Sequence, residues 1–359
     1  MLKTTALATM APALTTLTGA TARAQETALA ELPDLPTKED RYADARLVDQ
    51  DPPEIGEGSF SIAVFPDTQN YQGRNAENFS RQASWVAENK EKYNIACVLH
   101  LGDITNNNRP EQWEIAQRSM GLLDGKVPYF MAPGNHDYSE GGRCTDRTTL
   151  MNDYFPLAKY AKEKTFGGVF PEEPDRIENS FHLFSAGGAD YIVLALEFGP
   201  RKEVVAWADE VLTEHADRHG ILITHAYMYF NDDRYNWKLH GDKQSWNPHS
   251  YGVAKNSNDN VCDGEELWDL LVKKHPRMFM TLNGHVLGDG LGRITTPNEA
   301  GNAVHQMLVN FQIRPNGGDS WLRLIEVANP TKQLKVIDYS PALGKCNVAP
   351  ENHFELELS

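Results

Sequence analysis

An α/β domain is what the sequence predicts, on two observations. From Ser59 onward, apolar runs of strand length alternate with amphipathic segments of helix length, which is the grammar of βαβ units. Three of the runs also stop at side chains that bind metals or move protons. Residues 60–65 lead into Pro66, Asp67, Thr68 and Gln69, residues 95–101 into Gly102 and Asp103, and residues 127–131 into Gly134, Asn135, His136 and Asp137. Functional groups of open α/β sheets gather where strands end, so three strands deliver their chemistry to one edge.

The elements follow in order. Strands are predicted at 59–65, 95–101 and 127–132, with helices near 76–91 and 110–123 between them. Residues 138–179 are rich in Gly, Pro and charge and break the alternation, as an insertion over the active edge would. The pattern resumes at 180–184 and 191–196, joined across Gly187 and Gly188 as a hairpin. A helix near 201–217 carries Trp207 on its apolar face, and strand 220–224 ends at His225. A second polar excursion, 226–261, is long for a connection and reads as a lid or substrate-facing loop. Its Tyr227, Tyr229, Tyr235, Trp237 and Trp246 are expected mainly to pack. A helix near 263–274, a strand at 277–282 and strand-like runs at 303–311, 320–327 and 333–339 complete a domain of residues 59–345, with 346–359 as a tail. Residues 25–58 mix Pro33, Pro36, Pro52 and Pro53 with many charges and read as an extended segment wrapped on the surface.

Lys3, the apolar stretch 6–20 and Ala22-Arg23-Ala24 form the three regions of a signal peptide over residues 1–24, so the chain is expected in the periplasm or outside the cell. No later stretch is apolar enough to span a bilayer. A net charge of −16 repels nucleic acid, which makes it an unlikely partner. Metal ions in a cleft would still attract a phosphate there. The four cysteines form no C-x-x-C pair; Cys97 reads as a buried apolar residue, and Cys144 with Cys262 is the expected disulfide.

Read along the chain, the candidates are Asp67 and Gln69, Asp103, Asn135 and His136, His225, and His285, each just beyond an apolar run. Their order resembles that of the calcineurin-like metallophosphoesterase superfamily, whose blocks are D-x-H, G-D-x-x-[DN], G-N-H-[DE], a lone His and G-H-x-H. The resemblance covers roughly residues 59–340, and Pro66-Asp67-Thr68-Gln69-Asn70-Tyr71 is similar to a bacterial subgroup of it. It implies two mixed β-sheets packed as a sandwich flanked by α-helices. It also implies a phosphoester substrate, two divalent ions (Mn, Zn, Fe, Mg or Ca) and hydrolysis by a water activated at that dinuclear site.

Carried over residue by residue, Asp103 bridges the ions, Asp67 holds the first, and Asn135, His225 and His285 hold the second. His136 serves the phosphoryl group or the leaving oxygen, with Asp137 orienting its ring and raising its pKa. Two positions depart from the pattern, Gln69 and Leu287, both where the first ion usually has a histidine. Gln69 still offers an amide oxygen, and Asp289 or His305 is expected to fill the place of Leu287. An oxygen-rich first position favours Mn²⁺, Mg²⁺ or Ca²⁺, and a His-richer second one Zn²⁺, Mn²⁺ or Fe²⁺. Asn106 stands where the iron-binding tyrosine of purple acid phosphatases is expected, which disfavours that chemistry. His100 is expected as core or as a support behind the ligands. The competing reading is a non-catalytic or single-metal module; retention of His136 and Asp137 argues for catalysis.

Overall fold

A computed structural model describes residues 45–329 and 332–358. The expected signal peptide and the first part of the extended segment lie outside the described residues.

Two mixed sheets face each other. The first contains β1 (Leu47–Asp49), β2 (Phe60–Phe65), β3 (Ile95–His100), β4 (Tyr129–Met131), β12 (Leu322–Ala328), β13 (Gln333–Ser340), β14 (Lys345–Asn347) and β15 (His353–Glu357). Its order is β1-β14-β13-β12-β2-β3-β4, with β15 also on β13, and β2, β3 and β4 run parallel. The second has the order β10-β11-β9-β8-β7-β6-β5, from β5 (Phe166–Val169), β6 (Ser180–Ala186), β7 (Ala189–Ala195), β8 (His219–Ile223), β9 (Met278–Asn283), β10 (Leu291–Pro297) and β11 (Ala303–Val309).

The period of two along a strand sorts side chains between layers. Phe60, Ile62 and Val64 of β2 join Val193, Ile221, Met280 and Met307 of the second sheet in the core between the sheets. Ala63 and Phe65 point the other way, into a core shared with α1 (Glu77–Asn89) and α2 (Pro110–Met120). Those helices bury Phe79, Ala83 and Val86, and Trp113, Ala116 and Met120, at helical spacing. Pro110 opens α2 at a position where its missing N–H costs nothing. On the second sheet, α3 (Lys202–Glu214) sets Trp207 against Phe181 of β6. α4 (Gly264–Leu270) starts at a capping box, in which Asp263 Oδ1 accepts from Glu266 N and Glu266 Oε2 from Asp263 N.

The expected tail is sheet instead. β14 spans residue 345, and β15 pairs with β13 from Gln333↔Glu357 to Ile337↔His353. The extended segment contributes β1, whose Leu47 pairs with Asn347. The insertion 138–179 adds β5 as an edge strand and is held by ionic contacts around buried Glu197, which Arg147 (3.2 Å) and Arg201 (2.9 Å) approach from either side. It meets the second excursion where Val253 N donates to Cys144 O (2.8 Å). The expected Cys144–Cys262 disulfide is absent: all four cysteines are free and buried. The Cys144 backbone is tied to Tyr138 and Val253, while Cys262 sits at the entry to α4, so similar loop composition placed the two thiols in different surroundings.

Candidate metal centre

Parallel strands of both sheets end at one edge, and the turns beyond them carry the candidate ligands. After β3 the chain turns through Gly102 (φ +101°) and Asp103 (φ +48°), a left-handed conformation that is strained for the aspartate. Asp103 Oδ1 accepts from His136 N (2.9 Å) and lies 3.1 Å from His225 Nε2. Space beside it exists because residue 134 is glycine; a Cβ there would stand 2.2 Å from Asp103 N and Oδ1. Gly284 has the same role opposite Asp67, where a Cβ would stand 2.0 Å from Oδ1. The Asp67 carboxylate accepts from His285 N (3.1 Å) and from Asn310 Nδ2 (3.0 Å).

Both histidines hold their remote nitrogen on a backbone carbonyl. His225 Nδ1 donates to Leu101 O (2.8 Å), which leaves the Nε2 lone pair facing Asp103. His285, at φ +75°, donates Nε2–H to Trp246 O (2.8 Å), which leaves Nδ1 as the nitrogen that could meet an ion. Histidine ligands are usually held in this way, with the outer N–H fixing tautomer and ring orientation. Ligand atoms of Asp103, His225 and His285 come within 4.8 Å of one another, a grouping that could hold a metal ion. Buried side-chain atoms without a hydrogen-bond partner include Gln69 Oε1, Asn135 Oδ1 and His225 Nε2. Leaving a buried acceptor unsatisfied is costly, and a cation satisfies all three, so the residues present fit the expected ions.

The charges of these groups act on one another. Burial and the nearby Asp103 charge raise Asp67 to about 7, against the pull of His225. Asp103 is held below the usual carboxylate range, because His225 and His136 outweigh its burial. Burial would lower His225, yet Asp103 and Asp67 raise it to about 9. His100, driven to about 3 by burial, is neutral; its Nδ1 accepts from Gly102 N and its Nε2 donates to Thr68 Oγ1 (3.0 Å), so it ties the first two ligand turns together.

Asp137 does not orient the His136 ring as expected. Its Oδ2 accepts from Gly134 N (2.8 Å) and Ile104 N (3.0 Å), and its Oδ1 from Thr105 N (2.7 Å) and Thr105 Oγ1 (2.9 Å). The ring is held instead by Asn106 O, which accepts from His136 Nδ1 (2.8 Å) and leaves Nε2 as the outward atom of a half-buried side chain. His305 is no substitute for Leu287. It lies inside β11 opposite Met280, with Nδ1 on Thr295 Oγ1 of β10 (2.9 Å) and Nε2 on Glu357 O of β15 in the first sheet (3.0 Å), so both ring nitrogens are already used. Asp289 Oδ1 accepts from Leu291 N (3.1 Å) at the start of β10. Sequence reasoning passed over Asn310 and Gln312, although they too follow an apolar run and lie at the end of β11. Of the excursion's aromatics, Tyr227, Tyr229 and Tyr235 are buried, whereas Trp246 is 41% exposed beside His285.

The family model for the calcineurin-like phosphoesterase matches residues 60–288. The chain belongs to the calcineurin-like phosphoesterase family. The two mixed sheets with flanking helices are that family's fold, and divalent metals are the family's usual cofactors. The protein YvnB of Bacillus subtilis is 29% identical over 308 residues, which are 84% of this chain and 21% of YvnB. A probable glycerophosphodiester phosphodiesterase, GpdQ, of Arcobacter nitrofigilis is 28% identical over 123 residues, 26% of this chain and 44% of that protein. The chain therefore spans less than half the length of either relative. The purple acid phosphatase of yellow lupin superposes with a TM-score of 0.48 at 14% identity, over 85% of this chain and 55% of that one. Among the described residues no helix is long and apolar enough to cross a membrane.

Proposed function

We propose that this calcineurin-like phosphoesterase hydrolyses small phosphoesters at a site for two divalent ions. One observation carries the reading: Gln69 Oε1, Asn135 Oδ1 and His225 Nε2 are buried acceptors without hydrogen-bond partners, all at positions where the family pattern expects ligands. Asp103 would bridge, Asn135, His225 and His285 would hold the second ion, and Asp67 with Gln69 the first. Such a pair of ions binds phosphoryl oxygens, makes a water nucleophilic near neutral pH and stabilises charge in an in-line displacement.

The protein's own groups do the rest. Leu101 O and Trp246 O keep His225 and His285 in their ligand tautomers. Asn106 O holds the proton on His136 Nδ1, so Nε2 is the atom that takes up a proton and passes it to the leaving oxygen or hydrogen-bonds the phosphoryl group. The partial likeness to a probable glycerophosphodiesterase supports including diesters among the substrates. Export, as the N-terminal pattern implies, belongs to the same proposal.

The competing single-metal or non-catalytic reading draws on the loss of two first-position histidines, at Gln69 and Leu287. The two are separated by assaying phosphomonoesters and phosphodiesters with added Mn²⁺. Turnover that falls by about 100- to 10,000-fold in His136→Ala, the usual contribution of a general acid, is the expected result. A metal-loaded protein inert toward both ester classes would overturn the reading.

A further inference from the structure

We propose that Asn310 and Gln312, in the turn after β11, are positioning residues that orient Asp67 and Gln69 so that the first metal position is an all-oxygen one. The inference rests on the two-ion reading above. Asn310 Oδ1 accepts from Gln312 N (2.9 Å), and this backbone donor fixes which way the amide faces. Its NH₂ is thereby turned toward Asp67, donating to Oδ2 (3.0 Å), so Asn310 is itself no ligand. An ionised carboxylate offers about four lone-pair directions, and the donors from Asn310 and His285 leave room for a cation.

The second half of the device acts on Gln69. Its Nε2 donates to Gln312 Oε1, which leaves Gln69 Oε1 as the buried atom without a partner. A glutamine so held presents oxygen, not nitrogen. The turn is anchored from both sides: Asn310 N donates to Gly290 O (2.7 Å), and Asn70 Nδ2 donates to Gln312 O (2.8 Å). Gly290 is required for this approach, because a Cβ there would stand 1.9 Å from Asn310 O. The first position therefore offers carboxylate and amide oxygens from Asp67, Asp103 and Gln69, a donor set for a hard ion such as Mn²⁺, Mg²⁺ or Ca²⁺, while the second keeps two imidazoles.

The test is Mn²⁺ titration of the full chain by calorimetry, with elemental analysis of the ions retained and circular dichroism as a check on folding. Wild type is expected to bind two ions. Asn310→Ala and Gln312→Ala should each weaken the first ion by about 10- to 100-fold and leave the second unchanged. Gln312→Glu should instead keep the first ion near its wild-type affinity, because a carboxylate oxygen still accepts from Gln69 Nε2 and leaves Gln69 Oε1 facing the ion; loss in the alanine variant with rescue by the isosteric one reads the positioning role. Two ions with unchanged affinities in both alanine variants would overturn the roles of Asn310 and Gln312 and leave the two-ion reading standing. A wild type that binds one ion would overturn both.

Discussion

Asp137 lies beside the candidate metal centre without touching the imidazole it was expected to serve. Its two oxygens gather three backbone N–H groups and one hydroxyl from the turns after β3 and β4, so one buried carboxylate holds the Asp103 turn against the Asn135 turn. Replacing it by alanine strands those donors in a dry interior, at about 1–3 kcal/mol for each group left unsatisfied. Asp137→Ala should therefore lose more than about 3 kcal/mol in urea unfolding and release metal as the two turns separate. Unchanged stability would show that water replaces the carboxylate.

At the scale of elements, the 226–261 excursion is latched to α4 through one imidazole. His249 Nδ1 lies 2.6 Å from Asp259 Oδ1 and Nε2 lies 2.8 Å from Glu266 Oε2, with Trp237 stacked on the ring. Burial lowers the His249 pKa, but Glu266 and Asp259 outweigh it and raise the group to about 9. The folded value thus lies above an unfolded value of about 6.5. Stabilisation from the charged latch is complete below about pH 6.5 and is lost as pH rises through about 9. The gap in stability between wild type and His249→Leu should be constant in mild acid and shrink steadily above neutrality, as followed by urea unfolding at several pH values. A gap that widens with pH would mean that the imidazole is neutral in the fold.

The whole molecule depends on the residues first read as a tail. β15 runs along β13 with Phe354 and Leu356 against the core between the sheets, so ending the chain at residue 345 uncovers Leu334 and Val336. That truncation should give an aggregating or poorly folded product; a soluble product with the melting temperature of the full chain would contradict it. The sequence revealed the strands of residues 60–131 because their length, alternation and intervening amphipathic helices agree. It did not reveal β1 or β14, since three residues carry no period, and the alternation of His353 to Glu357 was too short to weigh against its place at the chain's end. The ligand candidates were legible because each follows a strand. Most partners of Asp137 were not, because three of the four are backbone N–H groups, which leave no mark on residue type. His305 misled because nearness in sequence does not say whether a residue lies inside a strand or beyond its end.

The hydrogen bond from His285 to Trp246 O ties the 226–261 loop to the candidate metal centre. On the proposed two-ion reading, the 226–261 loop would both face the substrate and supply the carbonyl that keeps a metal-binding imidazole in one tautomer, from a residue held at φ +64°. Exchanging residues 226–261 for another loop would change selectivity and metal retention together. A graft would succeed only if it returned a carbonyl oxygen to the same place, and a screen that scores turnover alone would discard good pockets for want of an ion.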